Sequence, residues 1–195
     1  MKAKNIKKIL LVMLLNLIVL QVNAQEKATI LKYPEAWRLE KIVFPLDFAK
    51  DIPWKGYEEL RFSPGMFNAK SPEYFTYYFG MQIVNRSEMT TQELTKELEK
   101  YYRGLCKAVN SKNRFTIDYD KIVAKVTKVT KHNFKATIVF YDSFTNGKKV
   151  LLEMMLATKE MKNKHLFLLA TVIPKANSKN LKALHEKNLE YNFPK

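Results

Sequence analysis

Two glutamates and an arginine lie close together in the sequence and are the first candidates for chemistry. Glu58, Glu59 and Arg61 fall in the segment Tyr57–Phe62. Because side chains two positions apart share one face of a strand, Glu59 and Arg61 lie on the same face as Tyr57. Such a group can orient a polar ligand, or it can form cross-strand ion pairs that only stabilise a sheet. The residue types are compatible with both interpretations.

An aromatic run, Tyr74–Phe79, is the second candidate for ligand contact. Exposed aromatic rings can stack on sugars or other flat ligands, whereas buried rings belong to the core of a sheet. The predicted ligand-binding surface lies at the polar edge of the N-terminal strands. It comprises Trp37, Glu59, Arg61 and Tyr78.

Four carboxylates offer an alternative, a hydrolase-type enzyme whose residues meet only in the folded chain. Carboxylates are suited to general acid and base catalysis. One of them, Glu153, is predicted on an apolar strand face, where burial would raise its pKa. The four candidates are Glu58, Glu59, Asp142 and Glu153.

The sequence contains none of the common catalytic or cofactor motifs. There is no G-x-S-x-G, H-E-x-x-H, phosphate-binding loop or dinucleotide fingerprint. The histidines His132, His165 and His185 are widely spaced, so no metal site is predicted. Cys106 is the single cysteine, which excludes an internal disulfide, and its place beside an apolar helix stripe predicts a small buried side chain. We therefore expect no catalytic residue, metal or cofactor.

A basic, hydrophobic leader is predicted at residues 1–24. Four lysines precede the apolar run Ile9–Leu20, and Val22–Ala24 provides small residues for signal peptidase. The apolar run is shorter than the roughly 20 residues that span a bilayer. We expect export of a single α+β domain, residues 25–195, to the bacterial periplasm or the medium, with no transmembrane segment after cleavage. The predicted cleavage site lacks the cysteine to which a lipid anchor would be attached, so we expect no lipid anchor there.

The chain is strongly basic. Its formal net charge is +15, and removal of the leader leaves 30 basic and 19 acidic residues, a net charge of +11. An anionic envelope surface is therefore one class of partner. The lysines are spread along the chain, which is also typical of a solvated surface, and we expect no nucleic-acid binding.

Periodicity predicts strands, one strongly marked helix and a second series of strands. Thr90 and Glu93 form a capping box, which begins a helix with apolar residues at helical spacing. A last helix is predicted to begin at Ser178. The predicted strands cover Trp37–Phe44, Tyr57–Phe62, Tyr74–Ile83, Ile122–Lys131, Phe134–Phe144, Val150–Ala157 and His165–Ile173.

A hairpin is predicted around Asn146-Gly147, a pair typical of two-residue turns. Such a turn pairs Thr145 with Lys148 and brings Phe140 opposite Glu153. Both faces of this hairpin are largely apolar, which predicts a place inside the sheet with cover on each side. The predicted fold class is α+β, an antiparallel sheet covered by helices in an α/β/α sandwich.

Part of the sequence carries a family resemblance. Trp37, Glu40 and the run Glu58-Glu59-x-Arg61-Phe62-Ser63-Pro64-Gly65-Met66-Phe67 resemble a group of exported bacterial proteins of uncharacterised activity. The similarity covers roughly Trp37–Leu105 and implies no particular reaction. The order of elements is also similar to the PsbP-like α/β/α sandwich, whose members are mostly accessory or assembly proteins.

The function that the sequence favours is a non-enzymatic binding or accessory domain. Its expected partner is an envelope protein or a small ligand. The hydrolase-type enzyme and the binder of anionic envelope surfaces are the two alternatives.

Overall fold

A computed structural model describes residues 30–195; the predicted signal peptide at 1–24 lies outside the described residues. Within 30–195, seven strands form one antiparallel sheet in the order β1-β2-β3-β7-β6-β5-β4. The strands are β1 Arg38–Val43, β2 Gly56–Phe62, β3 Tyr77–Ile83, β4 Val123–Lys128, β5 Asn133–Tyr141, β6 Lys149–Met161 and β7 His165–Pro174. The helices are α1 Thr91–Val109 and α2 Leu181–Asn192. The chain is therefore α+β, as predicted.

Two successive meanders build the sheet. Strands β1 to β3 follow each other as neighbours, and α1 then leads the chain to the far edge, where β4 begins. Strands β4 to β7 return toward the middle, so that β7 pairs with β3. Helix α1 packs on β4 and β5, and α2 packs on β7 and β6. Neither helix of residues 30–195 is long and apolar enough to cross a membrane.

The predicted alternation of β3 is confirmed on the side that faces α1. Tyr77, Phe79, Met81 and Ile83 are buried in the larger core cluster together with the apolar face of that helix. Tyr78, on the opposite side of the strand, is also buried, because residues 30–37 and α2 cover it. The sheet thus has a core on each side of β3.

Helix α1 begins where its capping box predicts. The Thr90 hydroxyl accepts a hydrogen bond from the Glu93 N–H at 3.1 Å, and the Glu93 carboxylate accepts from the Thr90 N–H at 2.8 Å. Met89 and Leu94, on either side of the cap, are both buried. These local contacts satisfy helix N–H groups that would otherwise lack partners.

Helix α2 differs from the prediction in its start and in its buried side. It begins at Leu181 after a 3-10 turn at Lys175–Asn180, so the expected cap at Ser178 is wrong. Its buried residues include His185, Asn188 and Asn192, spaced along one side of the helix. The Asn188 side chain donates to the Ala170 carbonyl of β7 at 3.0 Å. Hydrogen bonds as well as apolar contacts therefore seat this helix.

The register of the β5–β6 hairpin also differs from the prediction. Phe140 pairs with Val150 instead of Glu153. A shift by an odd number of residues turns every side chain of one strand to the other face. Glu153 consequently lies half-exposed opposite Thr137, and its predicted place among the buried apolar residues is wrong.

Asp142 is the physical reason for this shift. Its carboxylate accepts from the N–H groups of Phe144 and Thr145 at 3.1 and 2.9 Å, and from the Tyr74 hydroxyl at 2.6 Å. The Asp142 N–H also donates to the Lys148 carbonyl at 2.8 Å. These bonds stabilise a loop longer than the two-residue turn that Asn-Gly alone favours.

Candidate ligand-binding cavity

The four residues of the predicted binding surface lie together on the α2 side of the sheet. Trp37 belongs to residues 30–37, which we call the N-terminal strap, and Glu59, Arg61 and Tyr78 contact this strap. The Glu59 carboxylate accepts from the Ile30 and Leu31 N–H groups, each at 2.9 Å. The Arg61 guanidinium donates to the carbonyls of Leu31, Glu35 and Trp37 at 3.1, 3.2 and 2.7 Å.

The two aromatic members of the set pack on each other. The Trp37 and Tyr78 ring centroids lie 4.8 Å apart, and the Tyr78 hydroxyl donates to the Leu184 carbonyl of α2 at 3.1 Å. Burial raises the pKa of Tyr78 to about 12. The structure therefore brings Trp37, Glu59, Arg61 and Tyr78 together, and their described contacts hold the strap and α2.

The four carboxylates of the hydrolase alternative do not converge. Glu58 and Glu59 are neighbours on β2 and so point to opposite faces of the sheet. Asp142 organises the β5–β6 loop, and Glu153 lies half-exposed on β6. No pair of these four is placed to share a substrate.

The most ligand-like feature is a cavity of about 380 Å³ between β1–β3 and the second half of α1. Leu60 and Phe62 of β2 line one side, and Leu105 and Ala108 of α1 line the other. Nine aromatic side chains contribute to its wall: Phe48, Phe62, Phe67, Phe75, Tyr77, Tyr101, Tyr102, Phe140 and Phe144. We call this the aromatic cavity.

The mouth of the aromatic cavity is marked by exposed side chains. The Arg38 guanidinium lies 5.1 Å from the Phe62 ring centroid and 5.6 Å from that of Phe67. Its Nη2 is 3.6 Å from the Glu40 carboxylate, and both side chains remain largely exposed. Exposed ion pairs of this kind contribute little stability, on the order of 0–1 kcal/mol, so they do not seal the opening.

Polar groups gather where β2 and β3 meet α1. The Tyr77 and Tyr102 hydroxyl oxygens are 2.5 Å apart, and the Tyr101 hydroxyl donates to Glu58 Oε1 at 3.2 Å. Glu58 is fully buried, and its Oε2 has no hydrogen-bond partner among the described residues. We call these four residues the tyrosine cluster: Glu58, Tyr77, Tyr101 and Tyr102.

The Glu58 carboxyl has a strongly shifted pKa. Burial raises it from an ordinary value of 4.5 to about 8, the Tyr101 hydrogen bond opposes this increase, and the Glu40 charge adds to it. Desolvation disfavours the charged form, so Glu58 is mostly protonated at neutral pH. Burial also raises the pKa of each of the three tyrosines, which therefore keep their hydroxyl protons.

Two backbone features shape the wall of the cavity. Phe75 adopts a left-handed conformation with φ of 48°. This is uncommon for a bulky residue, and such strain is often concentrated at functional sites. Gly104 lets the loop that carries Phe48 approach α1, since a Cβ there would lie 2.1 Å from the Phe48 carbonyl oxygen.

Sequence reasoning missed this cavity. Its aromatic residues have the periodicity of ordinary core positions, and the stripe of Tyr101, Leu105 and Val109 predicts only packing on a sheet. The available signal was Glu58, a carboxylate in an aromatic strand on the face opposite Glu59. A buried carboxyl in such a setting is a candidate functional group.

The remaining chemical candidates do not form a second site. Cys106 is fully buried, and burial raises the pKa of its thiol, which disfavours the nucleophilic thiolate. His185 is buried against Thr171. Residues 30–195 hold no group of three or more histidine, cysteine, aspartate or glutamate side chains arranged for a metal ion.

Comparisons with protein-family models and with curated proteins find no match to this chain. Its function is therefore inferred from the geometry of its own residues.

Proposed function

We propose that this protein is an exported, non-enzymatic binding domain that holds a small, largely apolar molecule in the aromatic cavity. The observation that carries the proposal is the cavity itself, which has a volume of about 380 Å³ and a wall of nine aromatic side chains. Ligand pockets are typically about 300–1,000 Å³, mostly apolar, with a few polar groups. Tyr77, Tyr101 and Tyr102 of the tyrosine cluster line the cavity and provide such groups.

Packing energetics support occupancy of the cavity. Protein interiors are normally close-packed, and empty space beside apolar side chains forfeits dispersion contacts. An apolar ligand would restore those contacts and remove aromatic surface from water. The strained Phe75 backbone is one further cost that a purely structural core would not need.

Export and the finer architecture belong to the same proposal. The basic and apolar pattern of residues 1–24 supports secretion, with the periplasm or the medium as the site of action. Packing of α1 and α2 in the two separate core clusters supports an α/β/α sandwich of the PsbP-like kind. Fold analogy suggests an accessory role without defining the ligand.

Cavity filling tests the proposal. The uncharged fluorescent probe N-phenyl-1-naphthylamine is titrated separately into the wild-type protein and into two variants, Leu105→Trp and Lys96→Trp. Leu105 lines the cavity, whereas Lys96 is exposed on the same helix. We expect saturable binding to the wild type and Lys96→Trp, and at least tenfold weaker binding to Leu105→Trp. Absence of saturable binding to the wild type, or equal binding to both variants, would contradict the proposal.

A second candidate function, binding to an anionic lipid surface, is favoured by one exposed part of the sheet. On the side away from α1, the outer strands β4–β6 carry side chains that are exposed or half-exposed. The prediction that other elements cover both faces of the β5–β6 hairpin is therefore wrong for this face. This outer face includes three lysines, one glutamate and four apolar residues: Lys125, Lys135, Lys149, Glu153, Val123, Val139, Leu151 and Met155. Lysines beside partly exposed apolar groups complement acidic lipid headgroups.

Vesicle binding tests this second function. We expect sedimentation with vesicles of phosphatidylglycerol and phosphatidylcholine, and release when added salt screens the charges. Lys125→Glu combined with Lys135→Glu should abolish sedimentation. The matched control changes the exposed Lys182 and Lys187 of α2 to glutamate, an equal change in net charge, and should leave binding nearly intact. Equal loss in both double variants would indicate attraction by net charge without a defined face.

A further inference from the structure

The tyrosine cluster holds three hydroxyl protons, and its described hydrogen bonds use two of them. Tyr77 and Tyr102 carry two hydroxyl protons, and the single bond between their oxygens, 2.5 Å apart, uses one. The other proton has no acceptor among the hydrogen bonds of the described residues. Both side chains line the aromatic cavity. A buried donor without a partner costs free energy, so this pair is suited to an acceptor brought by a ligand.

Glu58 adds one more buried proton to the cluster. Tyr101 donates to its Oε1, while its Oε2 is buried and without a partner among the described residues. The raised pKa of Glu58, about 8, keeps a proton on this carboxyl at neutral pH. The charged and titratable groups near it are Tyr101 and Tyr102 of α1, Glu40 of β1 and Tyr77 of β3. Glu58 itself does not line the cavity, and its proton leaves the neighbouring Tyr101 without a full negative charge beside it at neutral pH.

We propose that the ligand of the aromatic cavity is an uncharged aromatic or alicyclic molecule whose carbonyl or ether oxygen accepts a hydrogen bond from the Tyr77–Tyr102 pair. This inference rests on the proposed function, and it names the chemical class that the cavity selects. A ligand with only donor groups can fill the cavity, but it leaves this hydroxyl proton without an acceptor. An oxygen acceptor binds the proton without carrying charge into an apolar site.

Charge distribution disfavours an ionic group at the inner end of the cavity. Among the described residues that line the cavity, Arg38 is the one cation, and it lies at the mouth over Phe62 beside Glu40. A carboxylate at the inner end would lose its hydration without gaining a cationic partner, which is strongly unfavourable. An ammonium group at the inner end would meet protonated tyrosine hydroxyls and no carboxylate of the described residues, because the lining carboxylate, Glu40, lies at the mouth beside Arg38.

A pair of shape-matched probes tests the inference. 2-Acetylnaphthalene has a carbonyl acceptor, and 2-isopropylnaphthalene has nearly the same shape without one. Calorimetric titration at pH 7 compares the wild type with the double variant Tyr77→Phe, Tyr102→Phe. Removing both partners of a buried hydrogen bond is close to neutral for folding, so the variant remains testable. Tyr119→Phe, which removes a hydroxyl outside the cavity lining, is the matched control.

We expect the double variant to bind 2-acetylnaphthalene about 3–10 times more weakly, the usual contribution of one net hydrogen bond. Its affinity for 2-isopropylnaphthalene should stay within about twofold, and Tyr119→Phe should bind both probes as the wild type does. Equal effects of the double variant on both probes would overturn the acceptor inference and leave the cavity proposal standing. Failure of the wild type to bind either probe would overturn the cavity proposal itself.

Discussion

Glu59 and Arg61 bind the two polar backbone groups of one residue, Leu31. The Leu31 N–H donates to the Glu59 carboxylate at 2.9 Å, and the Leu31 carbonyl accepts from Arg61 Nε at 3.1 Å. Both charged side chains are almost completely buried, at 0% and 6% exposure. Two residues of opposite charge on one strand face thus hold the strap across the sheet and provide hydrogen-bond partners for its backbone groups.

Replacing Arg61 should release the strap. Arg61→Met leaves the carbonyls of Leu31, Glu35 and Trp37 without their donor. It also removes one of two cations near the buried Glu59, which keeps its ion pair with Lys41 at 3.8 Å. Breaking a buried charged network of this type costs about 3–5 kcal/mol. Urea denaturation followed by circular dichroism measures the loss. The control Lys182→Met removes an exposed pair with Glu186 and should change stability by less than about 1 kcal/mol; a similarly small effect at Arg61 would contradict this interpretation.

The Glu58→Gln variant should remove a pH dependence of stability. Since the pKa of Glu58 rises from 4.5 in an unfolded chain to about 8 in the folded protein, the folded state binds more protons between these values. Its contribution to stability is complete below about pH 4.5 and is lost as the pH rises toward 8. The unfolding free energy of the wild type should therefore fall with rising pH more steeply than that of the variant. The accumulated difference over this pH window should be a few kcal/mol. Glu153→Gln is the control, and parallel profiles for wild type and Glu58→Gln would refute the assignment.

His185 should make the unfolding free energy decrease as the pH falls, the opposite of the dependence that Glu58 produces. Burial lowers its pKa from 6.5 to about 4, and its Nδ1 lies 3.1 Å from the Thr171 hydroxyl. As the pH falls below 6.5, His185 therefore takes up a proton in the unfolded chain before it does so in the folded protein. The stability that the neutral, buried His185 contributes is complete above pH 6.5 and is lost as the pH falls toward 4. NMR titration of the His185 ring should show a neutral imidazole at pH 5. A midpoint near 6.5 would show that the ring is accessible to water.

Asp142→Ala should destabilise the β5–β6 loop. The substitution leaves the N–H groups of Phe144 and Thr145 and the Tyr74 hydroxyl without their acceptor. We expect a loss of about 2–4 kcal/mol, because buried hydrogen bonds to a charged group contribute about 1.5–3 kcal/mol each and are partly replaced by water. Thermal unfolding measures the effect. Thr130→Ala, in the exposed β4–β5 turn, is the control and should cost less than about 1 kcal/mol; an equal cost at both turns would be inconsistent with a special role for Asp142.

Much of the secondary structure could be predicted because its causes are local. The Thr90–Glu93 box acts within one helical turn, and the alternation of Tyr77 to Ile83 follows from the pleat of a single strand. These signals led to the correct α+β class. The β5–β6 register could not be read in the same way, because Asp142 binds the hydroxyl of the distant Tyr74 as well as its own loop.

The candidate sites, too, have some features that local strand geometry predicts and others that depend on long-range packing. Strand geometry requires that Glu59 and Arg61 share a face and that Glu58 lies on the other, so the order of residues along β2 is enough to predict this arrangement. The contact of the first pair with the strap, the bond between Glu58 and Tyr101, and the open volume beside Tyr77, Tyr101 and Tyr102 all depend on the tertiary structure. A cavity is the space that separate elements leave between them, and that space depends on long-range packing of α1 against β1–β3 instead of on any local pattern of residues.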